Sequence, residues 1–370
     1  MRAFNEPPLL RIPPNFAALS DYENAARERL SSNALAYLGG ASADGITHQE
    51  NSTAFSRLKL MPRVLEDFSG PSGTTLELLG HKLPHPIMLA PIAYQKLAHQ
   101  EGELAAILGA IAAQATFITS THSSVSLEQI AASGKSDAPP WFQLYFKPDR
   151  ELTLSLIRRA EEAGYAAVVV TVDAPVNGVR NEEHRVQFRL PNGIDAANLR
   201  GVPPRETHGL DAMALCGGLP KHEPTWRDII WLMGQTRLPV LVKGIMSPND
   251  ARRAVEAGVA GIILSNHGGR TLDTLPATID VLPLIAAEVR ARVPLLVDGG
   301  IRRGTDVLKA LALGAKAVLI GRPYIYGLAV AGAIGVAHVV NILRAELEIA
   351  MVLTGCRQLA EIDEKVLWRK

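Results

Sequence analysis

The sequence predicts a (β/α)8 barrel, and three observations carry that expectation. Eight short strand-like runs recur along the chain, helical patterns lie between most of them, and polar residues follow the C-terminal end of each run. Strand alternating with helix implies parallel pairing through right-handed crossovers, and eight such units can close on themselves. A chain of 370 residues exceeds the usual single-core size, yet barrels of this kind reach that length as one domain. Residues 1–370 are therefore read as one domain, with an N-terminal extension over 1–80 and a lid over 176–225.

The extension comes first. Leu19 to Leu38 has helical spacing with Ser20 or Asp21 as its cap, and it stops at Gly39-Gly40. A second amphipathic piece runs from about Gln49 to Phe55, and Thr75 to Gly80 reads as a small hairpin arm. These helices are expected to cover one end of the main fold.

The strand runs are Pro86–Ala90, Thr116–Ser120, Trp141–Tyr145, Ala166–Thr171, Pro239–Lys243, Gly261–Ser265, Pro294–Asp298 and Ala317–Gly321. Helical patterns between them cover Glu101–Gln114, Ser126–Ala132, Arg150–Ala163, Pro248–Ala257, Ala277–Ala291 and Thr305–Leu313. Glu162-Ala163-Gly164, Glu256-Ala257-Gly258 and Ala312-Leu313-Gly314 each end a helix on glycine just before a strand, the expected C-terminal cap of such a repeat. The rhythm breaks between Thr171 and Pro239. Arg180 to Pro224 is rich in charge, proline and glycine and holds no convincing barrel strand. A long insertion after a barrel strand reads as an active-site lid.

Composition narrows the class. At 47% hydrophobic and 20% charged the chain is an ordinary globular protein. A net charge of +1 gives no reason to expect nucleic acid or an anionic membrane. Cys216 and Cys356 cannot build a disulfide framework or a cysteine-rich metal site, which suits a reducing compartment. No signal peptide opens the chain and no peroxisomal tripeptide ends it, so a cytoplasmic protein is expected. Ile325 to Leu343 is mostly apolar, but glycines and His338 interrupt it, and it reads as a buried helical region rather than a membrane span. His48, His81, His85 and His99 lack metal-ligand spacing and are expected at the surface, with no metal bound.

Barrel enzymes place their chemistry at the C-terminal ends of the strands. Those positions hold Ile92, Ala93 and Tyr94, then Ser120 with His122, Gln143 with Tyr145, and Thr171 with Asp173. Next come Lys243, then Ser265 with His267 and Arg270, then Asp298-Gly299-Gly300 with Arg302, and last Gly321-Arg322. Histidine is the side chain most easily poised as a base near neutral pH, and arginine offers a planar fork for a carboxylate or phosphate. The loops after the seventh and eighth strands form the recurrent phosphate site of this fold. Here they supply glycine amides and fixed cations, so a phosphate-bearing ligand is expected. Neither a dinucleotide fingerprint on a Rossmann unit nor a P-loop is present.

The stretch Ser265-Asn266-His267-Gly268-Gly269-Arg270-Thr271-Leu272-Asp273, followed by Pro276-Ala277-Thr278, resembles the signature of the FMN-dependent (S)-2-hydroxy-acid oxidases and dehydrogenases. The resemblance extends from about Leu19 to Ile362. It takes in Pro91-Ile92-Ala93, Trp141-Phe142-Gln143-Leu144-Tyr145, Thr171-Val172-Asp173-Ala174-Pro175, Val242-Lys243-Gly244, Asp298-Gly299-Gly300-Ile301-Arg302 and Ile320-Gly321-Arg322-Pro323, in family order.

This resemblance implies FMN as cofactor and a set of roles. His267 would be the base facing the substrate α-carbon and hydroxyl, with Asp173 stabilising its protonated form. Arg270 and Arg180, aided by Tyr37, would bind the substrate carboxylate, and Tyr145 would contact the hydroxyl or the keto oxygen. Lys243 would sit near the flavin N1/O2 edge as a fixed cation. Ile92, Ala93, Ser120, Gln143, Thr171 and Ser265 would hold the ring, Asp298 the ribityl chain, and Gly300, Arg302, Gly321 and Arg322 the phosphate.

Three positions depart from glycolate oxidase or the wider family. His122 stands where that enzyme usually has Trp, Tyr94 resembles the hydroxymandelate oxidases, and Val179 replaces the first Arg of a frequent pair. His122 and Tyr94 would then shape the substrate side-chain pocket. Ala93 is typical of the oxidases, which favours O2 as acceptor. A homo-oligomer, tetramer or octamer, is implied by the resemblance alone. Alternatives stay open: a dehydrogenase passing electrons to a quinone, a Schiff-base aldolase built on Lys243, or a binding protein without catalysis.

Overall fold

An antiparallel hairpin, β1 (Leu76–Leu78) and β2 (His81–Leu83), precedes eight parallel strands in the computed structural model. These are β3 (Ile87–Leu89), β4 (Ile118–Ser120), β5 (Trp141–Leu144), β6 (Val168–Thr171), β7 (Val240–Ile245), β8 (Gly261–Leu264), β9 (Leu295–Asp298) and β10 (Ala317–Ile320). The structure describes residues 6–134, 136–147, 149–202 and 224–368. Neighbouring strands pair in chain order, β10 pairs with β3, and a parallel bridge between Leu89 and Phe117 closes the ring. The (β/α)8 barrel is thus present, on the strands expected from their apolar runs.

Side chains alternate across each strand. Met88, Ile118, Trp141, Val169, Leu241, Ile263, Leu296 and Leu319 form one buried cluster inside the barrel, with Leu76, Leu78 and Leu83 of the hairpin packed into it. The hairpin therefore plugs the N-terminal end. Two positions further along each strand, the same inward face carries Ala90, Ser120, Gln143, Thr171, Lys243, Ser265, Asp298 and Gly321. A period of two thus stacks a polar layer directly on an apolar one, and the polar layer lies at the C-terminal mouth. The opposite strand faces, with Ile87, Leu89, Phe142, Val168, Val170, Ile262 and Val297, join the larger core under the helices.

Helices α1 (Leu19–Arg29), α2 (Ser32–Gly39) and α3 (Ile46–Arg57) come before the hairpin. The single helix expected over Leu19 to Leu38 is two, because Leu30 is extended (φ −73°, ψ 141°) and the Ser31 hydroxyl accepts from the Ala34 amide at 3.2 Å, capping a second start. The hairpin also lies slightly later than Thr75 to Gly80. The outer helices are α4 (Glu103–Ala112), α5 (Leu127–Ala131), α6 (Arg150–Glu162), α7 (Asn181–Arg185), α8 (Trp226–Met233), α9 (Pro248–Ala257), α10 (Thr278–Val289), α11 (Gly304–Ala312) and α12 (Arg322–Leu353). Helix α9 shows why its bounds were readable: Ser247 caps the Asp250 amide, Pro248 starts it, and Gly258 ends it at φ +87°.

Helix α12 bends at Ala331 and Gly332, whose backbone leaves the helical region. It is long and apolar enough to cross a membrane by length and composition, but 67% of its apolar window is buried inside the protein. Of the lid expected over 176–225, residues 203–223 lie outside the described residues, as does Cys216; the remainder holds α7. Three of the four histidines expected at the surface are a correction. His85 and His99 are buried, His85 because its Nε2 pairs with the Ala113 carbonyl at 2.8 Å, and His48 lines the cleft at the barrel mouth.

Candidate active site

The loop after β8 sets the geometry of the mouth. His267, Gly268 and Gly269 all have positive φ (56°, 65° and 73°), so the chain turns sharply as it leaves the strand. The turn is tied down by Ser265, whose Oγ accepts from the His267 amide at 3.0 Å and from Lys243 Nζ at 2.7 Å. In consequence the His267 ring faces the loop after β6. Its Nδ1 lies 2.8 Å from Asp173 Oδ1. Burial pushes the Asp173 carboxyl up, but His267, and Lys243 after it, hold it below the usual range. An ionised carboxylate can only accept, so the proton sits on Nδ1 and Nε2 is left as the basic nitrogen. Tyr145 Oη approaches that nitrogen at 3.5 Å.

Asp173 reaches its partner because β7 makes room. Gly244 has φ +114°, and a Cβ there would lie 2.4 Å from the Asp173 Cβ. Beside it, Lys243 is buried and pairs with Asp298 Oδ2 at 3.1 Å. Desolvation works to lower the Lys243 pKa, but Asp298 and Asp173 raise it above its ordinary value, so the amine is a fixed cation. A protonated amine is no nucleophile, which speaks against the Schiff-base alternative.

Gln143 bridges the neighbouring strands. Its Oε1 accepts from Ser120 Oγ and the Thr121 amide, both at 3.2 Å, and its Nε2 donates to Thr171 Oγ1 at 2.9 Å. The buried Glu103 carboxylate fastens the loops after β3 and β4, accepting from the Gln95 amide at 3.0 Å, the Ser124 amide at 2.8 Å and Ser124 Oγ at 2.7 Å. Tyr94 and His122 are carried on those loops. Their rings lie parallel with centroids 6.1 Å apart, and His122 stacks on Tyr145 at 5.2 Å. His122 is neutral: burial first, then Lys147, pulls it down to about 3. Its Nε2 lies 3.4 Å from Lys147 Nζ. Tyr37 continues the aromatic wall, 5.8 Å from Tyr94 and stacked on Phe188 at 4.9 Å.

Two arginines meet at the rim. Arg270 lies over the Tyr37 ring at 5.3 Å, donates to the Gly40 carbonyl at 2.8 Å and approaches Glu183 Oε1 at 3.4 Å. Arg180 approaches the same oxygen at 3.8 Å, while its Nη1 is buried and has no partner among the described residues. Arg322 lines the cleft and also ties its loops together: it donates to the carbonyls of Gly39 (3.1 Å), Gly40 (2.7 Å) and Gly268 (2.9 Å). Burial, then Arg270, lowers it to about 9. Arg302 Nη1 donates to the Ile301 carbonyl at 3.0 Å. One continuous cleft of about 2760 Å³ is lined by all of these: Tyr37, Ile92, Ala93, Tyr94, Ser120, His122, Gln143, Tyr145, Thr171, Arg180, Lys243, His267, Arg270, Asp298, Gly300, Arg302, Gly321 and Arg322. Asp173 lies behind it, reached through His267, and Ser265 behind Lys243.

Residues 26–369 match the family model described as FMN-dependent dehydrogenase. The chain belongs to that family. It is 46% identical over 355 residues to an L-lactate oxidase of Nostoc sp., covering 94% of this chain and 97% of that protein. A 2-hydroxyacid oxidase of Dictyostelium discoideum is 44% identical, with 96% and 90% covered, and a glycolate oxidase of Arabidopsis thaliana is 43% identical, with 93% of each covered. A solved mandelate oxidase with benzoyl-formic acid superposes with a TM-score of 0.87 at 41% identity, over 96% of this chain and 99% of that one. A mandelate oxidase variant with (S)-mandelic acid superposes with 0.86 over the same shares.

The cofactor of an FMN-dependent dehydrogenase must find a polar edge, a fixed cation and a phosphate seat in one cleft, and the residues present fit that demand. Asp298 Oδ1 is buried with no partner among the described residues, an acceptor waiting for a hydroxyl or N–H. Lys243 supplies the cation, and Gly300, Gly321 and Arg302 line the end of the cleft. Sequence reasoning missed Glu183, Phe188, Lys147 and His48 as wall residues. Glu183 alone left a signal, standing three positions after Arg180 on a helical turn.

Proposed function

We propose that this FMN-dependent dehydrogenase oxidises (S)-2-hydroxy acids to 2-oxo acids with O2 as acceptor, releasing hydrogen peroxide. The observation that carries the reading is the His267–Asp173 pair, its Nε2 facing Tyr145 Oη in the same cleft as two half-buried arginines. When bound, FMN accepts the two electrons that the substrate gives up. Arg180, Arg270 and the Tyr37 hydroxyl hold the carboxylate and so fix the substrate by its common end. That places the hydroxyl between Tyr145 and His267. Nε2 takes the proton released on oxidation, and Asp173 stabilises the imidazolium that results.

Lys243, held by Ser265 and Asp298, offsets negative charge at the polar edge of the cofactor. Gln143, Thr171 and Ser120 would supply hydrogen bonds to that edge, Ile92 and Ala93 would cover the ring, and Asp298 would take the ribityl chain. Gly300, Arg302, Gly321 and Arg322 would receive the phosphate, Arg322 also holding the surrounding loops through Gly39, Gly40 and Gly268. Oxygen as acceptor is supported by Ala93 and by relatives named as oxidases.

A homo-oligomer belongs to the same reading. Met61, Val64 and Leu65 are exposed next to the exposed Val352 and Leu353, the two segments being joined where the Arg63 amide donates to the Leu353 carbonyl at 3.0 Å. An apolar strip of this kind suits a contact between copies, as in a tetramer.

The test is an anaerobic visible spectrum before and after adding L-lactate or (S)-mandelate, followed by air. A yellow spectrum that bleaches and recovers in air with peroxide is expected. Bleaching without prompt recovery would instead indicate a quinone or another carrier. A protein that takes up no FMN on reconstitution would sink the reading.

A further inference from the structure

Glu183 is an anion placed among the groups that are to bind an anion. It sits on α7, a helix of five residues. Its Oε1 lies 3.4 Å from Arg270 Nη2 and 3.8 Å from Arg180 Nε. One carboxylate oxygen thus serves two guanidinium groups carried by different loops. The three side chains are only 17–20% exposed. Burial, followed by repulsion from Arg270, lowers Arg180 to about 10. Two cations buried together need a counter-charge, and in the described residues Glu183 provides it. It does so incompletely, because Arg180 Nη1 stays buried without a partner among the described residues. The pair keeps an open donor while an internal carboxylate already weakens its field.

We propose that Glu183 is a built-in counter-ion that competes electrostatically with the substrate carboxylate for Arg180 and Arg270, loosening the hold on substrate and product alike. The inference rests on the reading of those two arginines as the carboxylate site. With Glu183 ionised the cluster carries a single net positive charge, which one monocarboxylate neutralises. Without it the same cluster carries two and holds an anion more strongly. The 2-hydroxy substrate and the 2-oxo product share the carboxylate, so the weakening falls on both. Its effect is to hasten product release rather than to choose between substrates. A glutamate that merely buttressed the arginines would act in the opposite direction, since removing it would misplace them and weaken anion binding.

Glu183→Gln separates these readings, because the amide keeps the size and one acceptor while removing the charge. Pyruvate and benzoylformate are titrated into the FMN-loaded wild type and variant, reading the shift of the visible flavin spectrum. Neither ligand carries the hydroxyl and α-hydrogen needed for turnover. Binding of both is expected to tighten about three- to tenfold in the variant. The substrate KM should fall more than kcat, and product inhibition should deepen. Glu183→Asp, which restores the charge, should return towards wild-type affinity. Weaker or unchanged binding in Glu183→Gln overturns the inference while leaving the arginine site intact. Spectra that do not respond to either ligand even in the wild type overturn the carboxylate site itself, and the inference falls with it.

Discussion

His267 Nδ1 and Asp173 Oδ1 stand 2.8 Å apart although 94 residues separate them, and this contact decides which imidazole nitrogen is basic. Asp173→Asn removes the charge that stabilises the imidazolium and, because an amide can donate as well as accept, no longer fixes the proton on Nδ1. The rate of cofactor reduction under anaerobic conditions should fall by about 10²–10⁴. FMN content should stay near one per chain, since Asp173 lies behind His267. A variant that reduces its cofactor at the wild-type rate would remove the pair from the mechanism.

Gly244 holds the space in which Asp173 sits. Gly244→Ala brings a Cβ to 2.4 Å from the Asp173 Cβ at a backbone φ of +114°. A loss of about 1–3 kcal/mol in unfolding free energy is expected, together with slower reduction. Affinity for pyruvate, which depends on the arginines, should change little. Denaturant unfolding and ligand titration on one sample read both effects.

Lys243 balances two carboxylates. Lys243→Met leaves Asp298 and Asp173 without their common cation, and breaking a buried pair from one side costs about 3–5 kcal/mol. The variant should melt earlier and retain less flavin after gel filtration. Lys243→Arg should recover part of the stability through its charge but not the activity, because the bulkier head displaces Ser265.

Substrate preference should turn on His122. The ring is neutral and stacked between Tyr94 and Tyr145, so it acts by shape. His122→Trp fills the aromatic wall and should lower kcat/KM for (S)-mandelate relative to L-lactate by about tenfold. The pH profile should keep its form, because His122 does not titrate near neutrality. A change confined to the profile would contradict this.

Acid sensitivity should reside in Asp273. Its carboxylate accepts from the amides of Thr47 (2.8 Å), Asp44 (3.1 Å) and Ile46 (3.3 Å), joining the β8 loop to the start of α3. Burial would raise its pKa, but these amides and that of Thr274 hold it below the usual range. A carboxyl depressed in the folded state contributes stability above its unfolded value of about 3.9, and loses it as pH falls through the folded value. Urea midpoints between pH 5 and 3 should therefore fall more steeply in wild type than in Asp273→Asn. The variant should be less stable by about 1–2 kcal/mol at pH 7.

The barrel was legible because fully enclosed parallel strands are short apolar runs such as Gly261–Leu264, and because glycine caps mark the returns. The site was legible because, in six of the eight barrel strands, the inward face becomes polar two residues past its last apolar layer. What stayed hidden depends on partners far away in sequence. Asp273 caps α3 from 226 residues distant in its contact with Thr47, which no local pattern around Gly45 announces. The break at Leu30 carries neither glycine nor proline. His85 is buried because a carbonyl of the next helix receives it, and Glu183 shows its meaning only once Arg180 and Arg270 are brought together. Helix α8 escaped notice because Trp226–Met233 is short and follows a stretch without periodicity.

The guanidinium of Arg322 ties Gly39 and Gly40 to Gly268 across sequence separations of 283, 282 and 54 residues. A ribosome has released almost the entire chain before this knot can be tied. The first helices must wait, unable to settle against the mouth they cover until the eighth strand has been made. Contacts of such range form late and slow the search for the native state. A nascent or truncated chain ending short of residue 322 should therefore hold most of a barrel and no finished pocket, which delays the capacity for redox chemistry until synthesis is all but complete.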